Sequence, residues 1–310
     1  MPQTGIRTYH PDRCTAISHA RQLEPAPDRR GCARLILADR LRHAIVRTPG
    51  FDTGTGRNTA GVCCWGGLSG SFDGVNNLVA LVTGANKGIG KEIARQFADA
   101  GFTVYVGSRD AARGERAVEE IGGDTRLLVL DVTDDASIAA AARRAGTLDI
   151  LVNNAGVSGD DKTPDLEDAS TFRRIYETNV FGVVAVTNAF LPALRRSTRP
   201  RIVNVSSGTG SLTWATDPQS RHWSGRYAAY RSSKTALNAL TVFYARTLAD
   251  DGIKVNALAP GLRRTDLNAT AAASGGDPAG AAAGAVRLAL LPDDGPTGEF
   301  FSWDGTAVPW

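Results

Sequence analysis

Apolar positions from Leu78 onward group into two alternating kinds of segment. Helical periodicity predicts helices such as Gly88–Ala100 and Asp134–Arg144. Between the helices, short β-branched runs predict buried strands at Leu78–Val82, Thr103–Gly107, Arg126–Leu130, Leu148–Val152, Arg201–Val205, Lys254–Ala257 and Gly298–Phe301. Strands that alternate with helices of this length predict the α/β class, with a doubly wound parallel sheet and helices on both of its faces. We expect residues 75–310 to form one domain.

The stretch before this pattern differs from it. Residues 1–74 show no sustained period of 2 or 3.6, which predicts a disordered or weakly ordered leader. An Arg-rich leader is typical of a transit peptide, but this one also carries acidic residues and all four cysteines. Val75 stands just before the first predicted strand, so a valine-type start codon would make it the native first residue. We favour this interpretation, in which residues 1–74 have no function, over a targeting role.

Composition narrows the class of protein. Apolar residues make up 42% and charged residues 22% of the chain, as in an ordinary soluble protein. No apolar run approaches the roughly 18 residues of a membrane span, and the basic excess lies in the leader. We therefore expect a cytoplasmic protein without a membrane or nucleic-acid partner, and without a metal, because the Cys and His residues lack zinc-site spacing. Monomer and homo-oligomer both remain open.

A glycine-rich turn links the first predicted strand to the first predicted helix. Glycines at such a turn let backbone N–H groups approach a pyrophosphate at the helix N-terminus. The spacing Gly-x-x-x-Gly-x-Gly resembles the cofactor loop of the short-chain dehydrogenases/reductases. The resemblance implies a Rossmann-type fold and a nicotinamide dinucleotide held by loop residues Gly84, Asn86, Lys87, Gly88, Ile89 and Gly90.

The end of the second predicted strand bears on the choice of nicotinamide cofactor. An NAD site usually places an acid there for the ribose 2′-hydroxyl, whereas this chain has Ser108 at that position, followed by Arg109. Arg109 and Lys87 would place two cations near a 2′-phosphate, which predicts NADP(H). Asp110 is the competing interpretation, because NAD would be preferred if its carboxylate faced the ribose.

The chemistry is predicted to reside on a helix near the start of the last third of the chain. Tyr230 and Lys234 are four residues apart and share one helical face. A nearby ammonium favours phenolate and is expected to lower the tyrosine pKa, so that the hydroxyl can exchange a proton with a carbonyl oxygen. Tyr227 and Arg231 have the same spacing, but Arg cannot be tuned in this way. Ser232-Ser233 also match the surroundings of the family's Tyr-x-x-x-Lys motif.

The resemblance assigns further catalytic roles outside this helix. Ser207, at the end of a predicted strand, matches the serine that holds and polarises the substrate oxygen, whereas Ser206 is expected to bond to backbone. Asn179, on a predicted long helix, matches the asparagine that holds a water in a proton relay from Lys234. Packing without catalysis is the alternative role of Asn179.

The resemblance also implies cofactor contacts by residues at the ends of the predicted strands. Asp131 would meet the adenine amino group, although capping of the helix that begins near Asp134 is its alternative role. The segment Asn256–Gly261 is expected to follow the sixth strand, and its Pro-Gly turn would hold the nicotinamide carboxamide. The remaining contacts implied are Tyr230, Lys234, Val132, Asn154, Ala155, Gly156, Pro260, Gly261 and Thr265.

Two segments are expected to set substrate choice. The stretch between Ser207 and Tyr230 is longer than usual in the family and resembles that of carbonyl reductases. Its Trp214 and Trp223 either wall an apolar pocket or pack the insertion down. The Ala/Gly-rich segment Ala271–Gly284 is expected to form a small or mobile lid. Arg263 and Arg264, placed before it, are either solvent-exposed or attract an anionic substrate group.

The predicted function is NADPH-dependent reduction of an aldehyde or ketone to an alcohol, or the reverse, on a small-molecule substrate. A dinucleotide-binding sensor without turnover is one alternative, but Tyr230, Lys234, Ser207 and Asn179 are all present. A related lyase or epimerase is the other, and such relatives tend to have a longer C-terminal substrate domain. A serine hydrolase is disfavoured because His222, in a predicted loop, is the only histidine after residue 74.

Overall fold

The computed structural model describes residues 78–274 and 276–310, so the predicted leader, residues 1–74, lies outside the described residues. The described chain forms one parallel sheet in the order β3-β2-β1-β4-β5-β6-β7. Its strands are β1 Val79–Val82, β2 Thr103–Ser108, β3 Thr125–Val129, β4 Ile150–Asn153, β5 Arg201–Val205, β6 Lys254–Ala259 and β7 Phe300–Ser302. The strand order reverses between β1 and β4, and ligands of open α/β sheets bind at such a switch point.

Helices cover both faces of the sheet. They are α1 Gly88–Asp99, α2 Ala111–Ile121, α3 Asp135–Arg144, α4 Ala169–Tyr176, α5 Gly182–Leu194, α6 Leu212–Thr216, α7 Ala228–Thr247, α8 Ala269–Ser274 and α9 Pro278–Ala289. Side chains of β1 alternate between the two cores: Val82 packs with Phe97 on one face, and Leu81 packs with Phe190 on the other. The predicted doubly wound parallel sheet is therefore confirmed.

The long helix expected around Asn179 is present, with one irregular turn. Between α4 and α5 the chain adopts a π-helical turn, Glu177–Phe181, and the helical path continues without a break. Such single π turns occur inside α-helices and are frequent at functional sites. The irregular turn contains Asn179, which the sequence singles out for its polarity.

Three expectations at the C-terminal end of the sheet are wrong in detail. Strand β6 extends to Ala259, so only Pro260 and Gly261 follow it. It extends because its residues keep pairing with β7, in the register Ala257↔Phe300 to Ala259↔Ser302. Strand β7 starts at Phe300 rather than Gly298, because Gly298 has a left-handed φ of 74° and lies in the preceding turn.

The expected lid, Ala271–Gly284, is only partly a surface segment. From Pro278 onward it belongs to α9, whose Ala281, Ala282 and Ala285 are fully buried. Their small side chains let α9 pack closely on the sheet and α1, so this half of the segment is part of the core.

Candidate active site

The glycine loop after β1 is shaped so that side chains would fill it. A Cβ on Gly90 would lie 2.3 Å from Asn154 Nδ2 and 2.7 Å from the carbonyl oxygen of Gly84. Gly84 itself has a φ of 63°, and its Cβ would lie 3.0 Å from Ala155 Cα. Glycine is therefore required at both positions, as expected for a backbone cradle that a pyrophosphate approaches closely.

The Asn-Ala pair that follows β4 holds this loop in place. Asn154 Nδ2 donates to the carbonyl oxygens of Thr83, at 2.9 Å, and Gly84, at 3.3 Å. The Thr83 hydroxyl in turn accepts from the backbone N–H groups of Asn154 and Ala155, at 3.0 and 2.9 Å. Sequence reasoning missed Thr83, although a polar residue at the end of a buried strand is a usable signal. These hydrogen bonds join the segment after β4 to the loop after β1, at the point where the strand order reverses.

The end of β2 places the two candidate ribose contacts in different environments. Asp110 caps α2, because its Oδ1 accepts from Arg113 N at 2.9 Å, and it also pairs with the Arg113 guanidinium at 3.4 Å. Ser108 is buried and donates to the carbonyl oxygen of Asp110 at 2.7 Å. Arg109 is exposed. Lys87, also exposed, pairs with Asp266 at 3.1 Å.

Asp131 lies at the end of β3 and is held by Thr133 rather than by a helix. Its Oδ1 accepts from Thr133 N at 2.9 Å and from Thr133 Oγ1 at 2.7 Å. Burial raises the pKa of Asp131, but the Thr133 hydrogen bonds and the charge of Arg109 outweigh burial and lower it. Asp134 is the residue that caps α3, since its Oδ1 accepts from Ala136 N. The alternative capping role of Asp131 is therefore wrong, because Asp134 is one residue from the helix start and Asp131 is four.

The backbone at Val132 lies close to Gly182, and the backbone at Gly156 lies close to Asn179 and Lys234. A Cβ on Gly182, the first residue of α5, would lie 2.7 Å from the carbonyl oxygen of Val132. A Cβ on Gly156 would lie 3.3 Å from Asn179 Oδ1 and 3.6 Å from Lys234 Nζ. The segment after β4 therefore reaches from the glycine loop to the predicted catalytic residues.

Lys234 projects from α7 into the interior, beside Tyr230. Only 5% of Lys234 is exposed, and its Nζ donates to the carbonyl oxygen of Val205 at 2.8 Å. Burial lowers the pKa of Lys234 to about 8. Its Nζ lies 5.8 Å from the centre of the Tyr230 ring. An ammonium so placed is close to losing its proton under mildly alkaline conditions.

The Ser207 side chain influences the pKa of Tyr230. Burial raises the pKa of Tyr230, and the hydrogen bond with the Ser207 side chain opposes that rise. The expectation that Lys234 lowers the tyrosine pKa is not met, because burial disfavours the phenolate and the group that opposes this effect is Ser207. The Ser207 hydroxyl also contacts Thr209 Oγ1 at 2.9 Å.

Ser206, in contrast, is directed away from these groups. It donates to Asn238 Oδ1 at 2.5 Å and lies 3.4 Å from the carbonyl oxygen of Lys234. Ser206 thus makes the expected backbone hydrogen bond and, in addition, a shorter one to a side chain. The contact joins the end of β5 to the middle of α7.

Asn179 is fully buried and ties three segments together. Its Oδ1 accepts from Val157 N at 2.9 Å, and its Nδ2 donates to the carbonyl oxygen of Val157, also at 2.9 Å. The same Nδ2 donates to Ser233 Oγ at 3.0 Å, next to Lys234 in α7. Ser233 was known from the sequence only as part of the motif's surroundings. The proton-relay role of Asn179 stays a prediction.

The turn after β6 also comes close to the glycine loop. Gly261 has a left-handed φ of 70°, and a Cβ on Gly88 would lie 3.3 Å from Thr265 Cγ2. Arg263 donates to the carbonyl oxygen of Pro260 at 2.7 Å, and its guanidinium lies 4.2 Å from the centre of the Trp303 ring. Arg263 is thus engaged in a cation–π contact that supports the turn, rather than held free for a substrate anion.

The start of α7 has a feature that the sequence did not indicate. Tyr227 precedes the helix with a φ of 58°, and among the described residues it is the non-glycine with a positive φ. Glu167 Oε2 accepts from Ala229 N at 3.2 Å and so takes the place of a local cap. The beginning of α7 is therefore fixed by a distant carboxylate.

Within residues 78–274 and 276–310, no group of three or more His, Cys, Asp or Glu side chains is placed to hold a metal ion. In the same part of the chain, no helix combines the length and apolar character needed to cross a membrane.

The family sequence model described as short chain dehydrogenase matches residues 78–274. The chain belongs to this family, and it is an oxidoreductase. It is 35% identical to (-)-isopiperitenone reductase of Mentha piperita, over 73% of this chain and 96% of that one. NADPH-bound carbonyl reductase from chicken fatty liver superposes with a TM-score of 0.66 and 28% identity, covering 76% of this chain and all of that one. For 3-ketoacyl-(acyl-carrier-protein) reductase from Brucella melitensis complexed with NADH, the TM-score is 0.64, the identity 30% and the coverage 73% and 96%.

Proposed function

We propose that this oxidoreductase uses NADP(H) to reduce an aldehyde or ketone to an alcohol, or to run the reverse reaction. The observation that carries the proposal is the convergence of Tyr230, Ser207 and Lys234 at the carboxyl edge of the sheet. The Ser207 side chain influences the pKa of Tyr230, and Lys234 Nζ lies 5.8 Å from the centre of the Tyr230 ring. The names of similar proteins, isopiperitenone reductase and carbonyl reductase among them, support this reaction class. A cytoplasmic location is part of the proposal.

The residues present suit a dinucleotide. Gly84 and Gly90 leave space that a Cβ would fill, which is the cradle that a pyrophosphate needs. Arg109 is exposed at the end of β2, whereas the carboxylate of Asp110 is engaged in capping α2. An exposed cation beside a carboxylate that is engaged in capping favours a ribose 2′-phosphate and therefore NADP over NAD. Further predicted contacts to the cofactor are those of Lys87, Asp131, Val132, Asn154, Ala155, Gly156, Pro260, Gly261 and Thr265.

Each catalytic side chain has a distinct task in the proposed reaction. The bound nicotinamide supplies or accepts the hydride. Tyr230, kept protonated by burial, donates its hydroxyl proton to the carbonyl oxygen, and Ser207 holds that oxygen by a hydrogen bond. Lys234 places positive charge near the phenolate that proton donation creates, and it is proposed to hold the ribose hydroxyls. Asn179 is proposed to connect Lys234 to solvent through a water.

Tyr230→Phe tests the proposal most directly. We expect a panel of aldehydes, ketones and quinones, followed by NADPH absorbance, to show turnover by the native protein. The variant should lose about 10²–10⁴-fold in turnover, the usual contribution of a general acid, and keep its Kd for NADPH. Tyr227→Phe is the matched control, because Tyr227 has the same spacing to a cationic residue and its hydroxyl lies 3.4 Å from that of Thr270. Full turnover by Tyr230→Phe, or a native protein inactive on the whole panel, would overturn the assignment.

A further inference from the structure

The insertion between β5 and α7 places a stacked ring pair next to the proposed catalytic serine. The Trp214 and His222 rings are nearly parallel, at 4°, with centroids 4.9 Å apart. A Cβ on Gly208 would lie 2.9 Å from Trp214 Cζ3 and 3.4 Å from His222 Nε2. Because Gly208 directly follows Ser207, the ring pair borders the place where the substrate carbonyl would be held.

The ring pair is uncharged at neutral pH. Burial lowers the pKa of His222, and the nearby charges of Arg221 and Arg231 lower it further. A neutral imidazole stacked on an indole presents flat, largely apolar surface. Trp223 does not share this position, since it is 56% exposed. Of the two tryptophans in the insertion, only Trp214 is therefore placed to act as a wall.

Arg231 fixes this wall to the catalytic helix. Its Nη2 donates to the carbonyl oxygen of His222 and its Nη1 to that of Ser224, while Nε lies 3.5 Å from the carbonyl oxygen of Thr209. The three acceptors come from three points of the insertion. Arg231 also directly follows Tyr230 in α7, so the wall and the proposed general acid share one support. Arg231 lies four residues after Tyr227, just as Lys234 lies four residues after Tyr230, but its side chain holds the insertion.

A second attachment holds the opposite side of the insertion. The Thr213 N–H and hydroxyl both donate to the carbonyl oxygen of Trp310, at 3.0 and 2.7 Å. The Trp310 ring stacks on Phe300 of β7 at 5.3 Å. The insertion is thus tied to α7 through Arg231 and to β7 through Trp310 and Phe300.

We propose that the Trp214–His222 ring pair selects carbonyl substrates with a planar apolar group next to the carbonyl, and that Arg231 is the residue that positions this wall. The proposal rests on the carbonyl chemistry proposed above. A planar aromatic group gains an attraction to the ring pair beyond the apolar area it buries, and a small aliphatic substrate cannot make this contact. The wall should therefore act mainly on KM for planar substrates.

The test compares acetophenone with butanal, using NADPH, in native protein and four variants. His222→Ala and Arg231→Met should each raise KM for acetophenone about tenfold, which corresponds to ~1.4 kcal/mol, while KM for butanal changes less than about twofold. His222→Phe keeps a flat ring and should show the native KM for acetophenone, whereas a merely structural defect in the variants would alter KM for both substrates. Arg246→Met, an exposed Arg on the same helix, is the matched control and should change neither KM. Equal changes for both substrates, or no change for either, would overturn the proposal.

A binding measurement separates this inference from the reaction itself. Calorimetric titration of acetophenone into the NADPH-loaded protein measures the Kd for acetophenone, and so the contribution of the ring pair to binding, independently of the rate of turnover. The native protein could turn over no carbonyl compound and yet bind acetophenone in a way that His222→Ala weakens. That result would contradict the proposed function and support the role of the ring pair. If both substrates are turned over and His222→Ala leaves acetophenone binding unchanged, only the proposed role of the ring pair is contradicted. Absence of acetophenone binding to the native protein would likewise contradict it.

Discussion

The ammonium of Lys234 lies 5.8 Å from the centre of the Tyr230 ring and donates its hydrogen bond to the carbonyl oxygen of Val205, at 2.8 Å. Burial affects both groups, lowering the pKa of Lys234 to about 8 and raising that of Tyr230. Both shifts favour the uncharged forms. Because Lys234 titrates first, it determines how this pair responds to a rise in pH above neutrality.

We expect kcat/KM for carbonyl reduction to fall as the pH rises through about 8. The ammonium of Lys234 stabilises the phenolate left by proton donation, and with a pKa of about 8 it is lost in this range. Tyr230 cannot cause the fall, because its raised pKa keeps the hydroxyl protonated there. The measurement is a pH profile of kcat/KM in the direction of NADPH oxidation.

Lys234→Arg is the informative variant for this profile. Arg stays charged throughout the range, so the variant, although slower, should lose the alkaline decline. A native profile that is flat to pH ~10, the ordinary pKa of tyrosine, would show that Lys234 does not control the step.

The same burial predicts that Lys234→Met stabilises the fold at pH 7. The unfolded chain binds the lysine proton with a pKa near its ordinary value of ~10.4, whereas the folded chain binds it with a pKa of about 8. Between pH 8 and ~10.4 the unfolded state binds more protons than the folded state, so the free energy of unfolding rises with pH. Below pH 8 the folded state contains the buried ammonium, which lowers its stability. We expect the variant to be about 1 kcal/mol more stable at pH 7, after the loss of one hydrogen bond.

Urea unfolding at pH 7 and at pH 9 checks this prediction. The difference in free energy of unfolding between variant and native protein should shrink at the higher pH, because native Lys234 is then mostly neutral. Lys162→Met removes an exposed lysine that pairs with Asp160 and should change the stability little at either pH. A Lys234→Met protein less stable than the native one at pH 7 would contradict the account.

The sequence predicts those parts of the molecule that depend on local pattern. The strands and helices follow from periodicity, and Gly90, Tyr230 and Lys234 stand at recognisable spacings within them. The order of these motifs places them at one edge of a parallel sheet, because every strand of such a sheet ends on the same side. For the same reason the structure joins Asn154 to the glycine loop, which the sequence predicts only as two separate cofactor contacts.

What the sequence does not predict depends on contacts between distant segments. Nothing in the sequence near Arg231 or Arg263 indicates the partner of its side chain. Arg231 binds carbonyl oxygens of the insertion, whereas Arg263 lies against Trp303. Glu167 caps a helix that begins 61 residues later, and no local signal indicates that partner. The pKa of Tyr230 is likewise set by how deeply α7 is buried. These properties arise from packing, which spacing along the chain does not encode.

Gly90→Ala should disrupt the glycine loop. The added Cβ would lie 2.3 Å from Asn154 Nδ2 and 2.7 Å from the carbonyl oxygen of Gly84, so the hydrogen bonds that hold the loop must break. We expect an overpacking cost of about 1–3 kcal/mol in stability and at least a tenfold rise in Kd for NADPH. Chemical denaturation and fluorescence titration of NADPH measure the two effects.

Gly146→Ala is the matched control for that substitution. A Cβ on Gly146 would have no atom within 4 Å, so neither stability nor NADPH affinity should change appreciably. Similar behaviour of the two variants would mean that the close approach at Gly90 does not shape the cofactor loop.

Arg109→Asp should invert or erase a preference for NADPH over NADH. The substitution removes the exposed cation at the end of β2 and places there an acid suited to the ribose 2′-hydroxyl. Asp110→Ala separates this effect from a change in the neighbouring carboxylate, because Asp110 caps α2 through Arg113 N. It should cost about 1 kcal/mol of stability and leave the cofactor preference unaltered. The measured quantity is the ratio of kcat/KM for NADPH to that for NADH, and a native preference for NADH, or a switch caused by Asp110→Ala, would assign the ribose contact to Asp110 instead.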